Sequence, residues 1–217
     1  NAYVDGGMDK QSATLKGVEE FATEAAILKI AGSEVLDYVV DEAVQTYGGM
    51  GFSAESPVER SYRDARINRI FEGTNEINRL LVPGTYLRKA MKGELPLLQK
   101  AQALQEELMM LMPEEVGDEP LAQEKYLVKN AKKIGLMLSG LAAQKFGKAL
   151  EKEQEILVNI ADIVSNAYAM ESVVLRTEKA IQKGGVEKAQ QKLLYTQIFC
   201  QEAFNEIEQH AKETLVA

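Results

Sequence analysis

The chain has 217 residues, 46% of them hydrophobic, and a formal net charge of -8. That is enough for one large domain or two small ones with a real core, and it excludes bulk disorder. The acidic balance argues against a nucleic-acid surface, because phosphate contacts need a basic excess, and the lone Cys200 and lone His210 leave no internal disulfide, no multi-His metal site and no ready His-based triad.

Ala, Leu, Glu, Lys and Gln dominate and Pro is limited to 5 residues, a helix-forming mixture that predicts an all-α fold. Residues 1–16, with Asp5-Gly6-Gly7, read as a loop or a frayed start. Residues 17–47 read as one long helix with an apolar stripe of Phe21, Ala25, Leu28, Val35, Tyr38, Val39 and Ala43. Gly48-Gly49-Met50-Gly51 stops it. Ser56-Pro57 opens a helix running to Arg69, with Ser as N-cap and Pro in the first turn. After a break at Phe71-Glu72-Gly73-Thr74, Thr74 caps a further helix through Leu81, which Pro83-Gly84 kinks or ends.

Beyond residue 94 the Gly and Arg clusters give way to amphipathic helices over 94–111, 119–149, 152–183 and 186–213. Their separators are the acidic stretch from Pro113 to Pro120, a weak point near Leu150, and Gly184-Gly185. In the third helix Ile156, Ile160, Ile163, Ala167, Met170, Val174 and Ile181 share a face; in the second, Leu127, Ala131, Ile134, Leu138 and Leu141 do. Gly135, Ser139, Gly140 and Ala143 let a neighbouring helix approach closely. Four such helices with short turns predict an antiparallel bundle. No apolar run is long enough to cross a bilayer.

Three signals bear on chemistry. The break at Glu72 exposes backbone N–H groups at the start of the next helix, which can hold an anion or a carbonyl oxygen, and Gly73 permits close approach by a ligand. A Glu beside Ile70 and Phe71 suits a general base if desolvated; the plainer reading is a solvated loop charge. Tyr47-Gly-Gly-Met-Gly-Phe52 can cradle a phosphate, but no Lys-Ser/Thr follows and no strand precedes it, so on its own it reads as a helix stop. Arg60, Arg63, Arg66 and Arg69, three apart, form a drifting stripe suited to ion pairs or to anchoring a phosphate. His210 reads as a solvated surface residue, Cys200 as a small core residue, and Met109-Met110-Leu111-Met112 as helix packing.

The order of these motifs carries a resemblance. The stretch SEVLDYVVDEAVQTYGGMGFSAESPVERSYRDARINRIFEGTNEINR, with EAAILKIAG before it, closely resembles the C-terminal catalytic segment of acyl-CoA dehydrogenases over residues 15–82. The resemblance implies FAD-dependent oxidation of acyl-CoA thioesters to trans-2-enoyl-CoA in fatty-acid β-oxidation. It makes Glu72 the base that takes the α-proton and Gly73 a substrate contact, and no metal is implied. Gln45, Thr46, Tyr47, Gly48 and Gly49 match a loop contacting the FAD of a neighbouring subunit, and Thr74, Asn75 and Glu76 match a second FAD-contacting turn. Where many short- and medium-chain members carry an Arg facing CoA, this chain has Gly84. The helical tail resembles the extra C-terminal domain of the very-long-chain branch and its bacterial relatives.

The organisation expected is therefore residues 1–92 as the C-terminal part of a catalytic helical domain and 93–217 as an additional helical bundle, both belonging to the C-terminal piece of a longer enzyme. Partners implied by the family are the acyl-CoA substrate, further copies in a homodimer or higher oligomer, and an electron-transferring flavoprotein. In mitochondrial members the tail is linked to dimer formation and membrane contact, and the acidic charge of this tail weighs against the latter. The bacterial cytoplasm is the compartment favoured, with the mitochondrial matrix side as the alternative. The rival reading is a non-catalytic dimerisation or docking module, against which the intact Glu72-Gly73-Thr74 weighs.

Overall fold

The structure is a computed structural model that describes residues 2–110 and 115–217, with the side chains of Leu108 and Met109 left aside. Residues 111–114 fall outside it, and with them the end of the helix expected over 94–111, part of the Met-rich run and the start of the acidic linker. The described residues form helices and no strands. They divide into two compact units, 1–85 and 86–217.

In the first unit, α1 (Ala2–Asp5) and α2 (Lys10–Glu20) occupy the region expected to be a loop. The reason is a local cap: the Asp9 carboxylate accepts from the Gln11 and Ser12 N–H groups at 3.0 Å and starts α2 at Lys10. The single helix expected over 17–47 is divided at Phe21, which leaves helical geometry (φ -96, ψ 15) before α3 (Ala22–Tyr47) begins. Phe21 still donates to the Gly17 carbonyl and accepts from Ala25 N–H, so the division is a kink.

The apolar stripe expected on α3 is a second correction. Phe21, Leu28, Val35, Tyr38 and Val39 are exposed, whereas Ala26, Ile27, Ile30, Ser33 and Val40 are buried. Apolar residues occur on more than one side of this helix, so periodicity alone could not choose the covered face.

After a 3-10 segment (Gly48–Phe52), α4 (Pro57–Arg66) starts as expected, with the Ser56 hydroxyl accepting from Val58 N–H and Pro57 in the first turn. A 3-10 turn (Ile67–Arg69) leads to the break, and α5 (Asn75–Met91) follows. Pro83 does not end α5 near Leu81. It removes one helical hydrogen bond, at a cost of about 3 kcal/mol, and its own burial with that of Val82 offsets the loss.

The second unit holds α6 (Leu97–Met109), α7 (Ala122–Phe146), a 3-10 segment (Gly147–Lys152), α8 (Gln154–Gly184) and α9 (Val186–Val216). Leu150 is buried in the 3-10 segment, and Gly185, at φ 80, turns the chain between α8 and α9. Cross-helix pairs fix the directions. Lys125 bonds Glu178 and Lys132 bonds Glu171, so α7 and α8 run antiparallel. Thr177 meets Thr196, Asn166 meets Glu206 and Asn159 meets His210, so α8 and α9 do too.

This is the antiparallel bundle read from the sequence. Ile156, Ile160, Ile163, Ala167, Met170 and Val174 are all buried, as are Leu127, Ala131 and Leu138. Gly140 brings α6 onto α7: a Cβ there would lie 2.4 Å from the Ala101 Cβ. Ser139, on the same face, bonds the Tyr86 hydroxyl at 3.0 Å, and burial pushes that phenol well above its usual range. Cys200 is buried as expected, but His210 is half-buried, with Nδ1 3.1 Å from the Asn159 Oδ1.

Candidate functional site

The candidate site is the turn between the 3-10 segment and α5. Ile70 and Phe71 close that segment on the Ile67 carbonyl. Glu72 (φ 54) and Gly73 (φ 81) then adopt left-handed conformations in succession. Thr74 caps α5 as its residue type predicts, its Oγ1 accepting from Ile77 N–H at 3.3 Å. A left-handed Glu costs about 1–2 kcal/mol relative to right-handed backbone, and such strain persists where surrounding contacts over-determine it.

Those contacts come from α3 and from the first turns of α5. The Lys29 ammonium donates to the Gly73 carbonyl at 2.8 Å and to Asn75 Oδ1 at 2.7 Å. The Asn78 amide donates to the same Gly73 carbonyl at 2.8 Å and to the Thr74 carbonyl at 3.0 Å. The Asn75 amide donates to Ser33 Oγ at 2.9 Å and to Glu34 Oε1 at 3.1 Å. Arg79 grips Glu34 with two bonds, 2.7 and 3.0 Å, and Arg69 pairs with Asp37 at 3.1 Å. Burial pushes the Glu34 carboxyl up, but the bonds and charge of Arg79 outweigh it, and with help from Asn75 hold the group below the usual carboxylate range.

Each expected site residue has a definite place. Glu72 is exposed, as are Ile70 and Phe71 before it. Gly73 is exposed, and a Cβ there would lie 3.1 Å from the Asn78 amide nitrogen. Asn75 is buried with its amide committed inward, so its side chain supports the turn. Glu76 is exposed; its carboxyl is held below its usual range first by its own backbone N–H, then by Thr74.

Gln45, Thr46 and Tyr47 end α3, and Gly48 (φ 60) and Gly49 open the following segment, all exposed. The Thr46 hydroxyl bonds the Glu42 carbonyl. Gly51 is required there, since a Cβ would fall 2.5 Å from the Val44 carbonyl oxygen. This group and the Glu72 turn are not brought together: Lys29 and Gln45 are sixteen residues apart on α3, roughly 24 Å. The Arg stripe divides likewise. Arg60 and Arg63 pair along their own helix with Asp64 and Glu59, while Arg69 crosses to α3.

Lys29, Ser33, Glu34, Asp37 and Arg79 brace the candidate turn, and the sequence reading missed them. Their signal was a polar row, Lys29-Ser33-Asp37 at i, i+4 spacing, interrupting an otherwise apolar helix. Among the described residues no group of three or more His, Cys, Asp and Glu could hold a metal ion, and no helix is long and apolar enough to cross a membrane.

An all-α segment presenting a Glu from a strained, braced turn, followed by an antiparallel bundle, defines a two-part helical class, and comparison with known proteins sharpens it. Two family models, both described as acyl-CoA dehydrogenase, C-terminal domain, match residues 8–85 and 130–217. A probable acyl-CoA dehydrogenase of Bacillus subtilis (strain 168) is 70% identical over 202 residues, covering 93% of this chain and 34% of that protein. The mitochondrial very long-chain specific acyl-CoA dehydrogenase of Rattus norvegicus is 33% identical over 229 residues, covering 90% and 32%. A crystal structure of acyl-CoA dehydrogenase complexed with FAD from Bacillus anthracis superposes with a TM-score of 0.88 at 78% identity, covering 90% of this chain and 33% of that one. The chain belongs to the acyl-CoA dehydrogenase family. It spans about a third of the length of these relatives.

Proposed function

We propose that the chain is the C-terminal part of an FAD-dependent acyl-CoA dehydrogenase that oxidises acyl-CoA to trans-2-enoyl-CoA in fatty-acid β-oxidation. The observation that carries this reading is the left-handed Glu72–Gly73 turn, which presents an exposed carboxylate beside the N-terminus of α5.

In this reading Glu72 abstracts the α-proton of the thioester. The Glu72 backbone N–H polarises the thioester carbonyl, which acidifies that proton. Gly73, lacking a Cβ, lets the acyl chain pass close to the turn.

The residues present fit a flavin nucleotide on two counts. The exposed glycine-bearing segment after α3 offers main-chain groups to a phosphate-bearing ligand, and the capped start of α5 offers a helix N-terminus. Gln45, Thr46, Tyr47, Gly48 and Gly49 would hold one region of FAD, and Thr74, Asn75 and Glu76 another, with Asn75 acting through the turn it braces. When bound, FAD supplies the acceptor for the hydride leaving the β-carbon. The separation of the two groups along α3 supports their serving flavins held in different copies of a homodimer or larger oligomer.

An electron-transferring flavoprotein is the proposed electron acceptor, and the bacterial cytoplasm the proposed compartment, with the mitochondrial matrix side second. Residues 1–92 take the catalytic part, and 93–217 form the additional bundle.

The test is an acyl-CoA dehydrogenation assay on the full-length enzyme with an artificial electron acceptor. Glu72→Gln should abolish turnover while leaving flavin content intact. Retention of the full rate by that variant would show that Glu72 is not the base.

A further inference from the structure

We infer that Lys29 is a positioning residue for the base: its ammonium, clamped on the Gly73 carbonyl, holds Glu72 in the left-handed conformation that aims the carboxylate. The inference rests on the reading of Glu72 as the base.

Two donors meet on the Gly73 carbonyl, Lys29 Nζ from α3 and Asn78 Nδ2 from α5, each at 2.8 Å. A carbonyl held from two sides fixes the plane of the peptide that joins Gly73 to Thr74. That plane, with φ values of 54 at Glu72 and 81 at Gly73, sets the direction of the Glu72 side chain. Nothing in Glu72 itself favours this backbone, since left-handed geometry is unfavourable for any residue with a Cβ. The conformation is therefore imposed from outside, and Lys29 is the donor that imposes it from α3.

Lys29 is itself held. Its second bond, to Asn75 Oδ1 at 2.7 Å, ties it to a buried amide that also bonds Ser33 and Glu34. The ammonium thus has little freedom to follow the turn should the turn move. Removing it frees one side of the Gly73 carbonyl and lets Glu72 relax toward right-handed backbone, which displaces the carboxylate. Displacements of this kind act on the chemical step more than on binding.

The experiment uses the full-length enzyme carrying Lys29→Met, Lys29→Arg or Glu72→Gln. The readouts are kcat, KM, flavin content and the kinetic isotope effect with an α-deuterated acyl-CoA. Lys29→Met should lower kcat by about tenfold to a hundredfold with KM little changed and flavin retained. Its isotope effect should rise, because proton abstraction becomes more fully rate-limiting. Lys29→Arg, which keeps a cationic donor, should recover most of the rate.

A purely architectural Lys29 predicts something else: turnover falling in step with flavin content at an unchanged isotope effect. That outcome, or wild-type kinetics in Lys29→Met, overturns the inference, and if Glu72→Gln is then inactive the base assignment survives it. An active Glu72→Gln overturns the base assignment and this inference together. If Lys29→Met does not fold, Asn78→Ala, which removes the other donor from the same carbonyl, must show the same rise in isotope effect; its absence counts against the inference.

Discussion

Arg79 and Glu34 form a two-pronged ion pair between α5 and α3, with N–O distances of 2.7 and 3.0 Å. The same carboxylate accepts from Asn75, so one acidic group on α3 anchors two successive turns of α5 beneath the Glu72 turn. Arg79→Met should destabilise the first unit by about 1–2 kcal/mol, a figure reduced from that of a fully buried pair because Glu34 remains partly solvated. Urea denaturation near neutral pH measures this. The pair also sets a pH dependence. The folded-state pKa of Glu34 is lowered from 4.5, so its contribution is complete above that value and is lost as pH falls through the lower folded value. Arg79→Met should show a shallower loss of stability over that acid range than the parent.

Gly140 and Gly135 face different neighbours of α7, α6 and α8 respectively, and should respond differently to the same added methyl. At Gly140 the new Cβ would meet the Ala101 Cβ at 2.4 Å, and neither small side chain can rotate away. Gly140→Ala therefore forces α6 from α7, at about 1–3 kcal/mol, more than the gain of about 1 kcal/mol from replacing a helical Gly. At Gly135 the nearest atom is the Ile163 Cγ2, at 3.4 Å, which is ordinary contact. Gly135→Ala should be neutral or stabilising. Thermal unfolding of the two variants should move in opposite directions or differ clearly in size.

These glycines also mark how far the sequence could be read. In the second unit each helix has one apolar face, so period 3.6 identified Ile160, Ile163 and Met170 as core, and Gly140 as a point of close approach. In α3 apolar residues occur on more than one side, and the spacing picks out the row from Phe21 to Val39, whereas Ala26, Ile27 and Ile30 are what the fold covers. Pattern gives a period but not a partner. The turn was legible as a helix break with a Thr cap. Its bracing was not, because Lys29 and Gly73 are 44 residues apart and their bond depends on packing that no local window contains. Asn75 shows the same limit: its side-chain amide is buried against Ser33 and Glu34, a placement set by packing 41 and 42 residues away in sequence.

The two non-glycine residues with positive φ among those described, Glu72 (φ 54) and Leu121 (φ 71), predict opposite responses to glycine. Glycine relieves the left-handed backbone at either position, worth about 1–2 kcal/mol, against an unfolded-state entropy penalty of about 0.5–1 kcal/mol. Glu72 is exposed and loses no packing, so Glu72→Gly should stabilise by up to about 1.5 kcal/mol while abolishing dehydrogenation in the full-length enzyme. Leu121 is 3% exposed, so Leu121→Gly also loses a buried side chain, at a cost of several kcal/mol. Paired denaturant titrations of the two variants should give shifts of opposite sign. A destabilised Glu72→Gly would mean that the left-handed turn stores no strain.

Cys200 reports on the opening of the α8–α9 pair. It is fully buried on α9, and that burial, with a smaller contribution from the Glu124 charge, pushes its thiol up to about 11. The nucleophile is the thiolate, so at mildly alkaline pH the folded protein should react slowly with an aromatic disulfide reagent. Unfolded chain, with a thiol near its ordinary value of 9.0, should react fast. A thiol whose folded pKa is raised contributes stability that is complete below 9.0 and is lost as pH rises toward 11. Stability should therefore decline over that interval, and Cys200→Ala should decline less. Labelling rates measured across a urea titration should follow the unfolding of the second unit. Rapid labelling without denaturant would show that α8 and α9 part locally around Cys200 while the rest of the bundle stays folded.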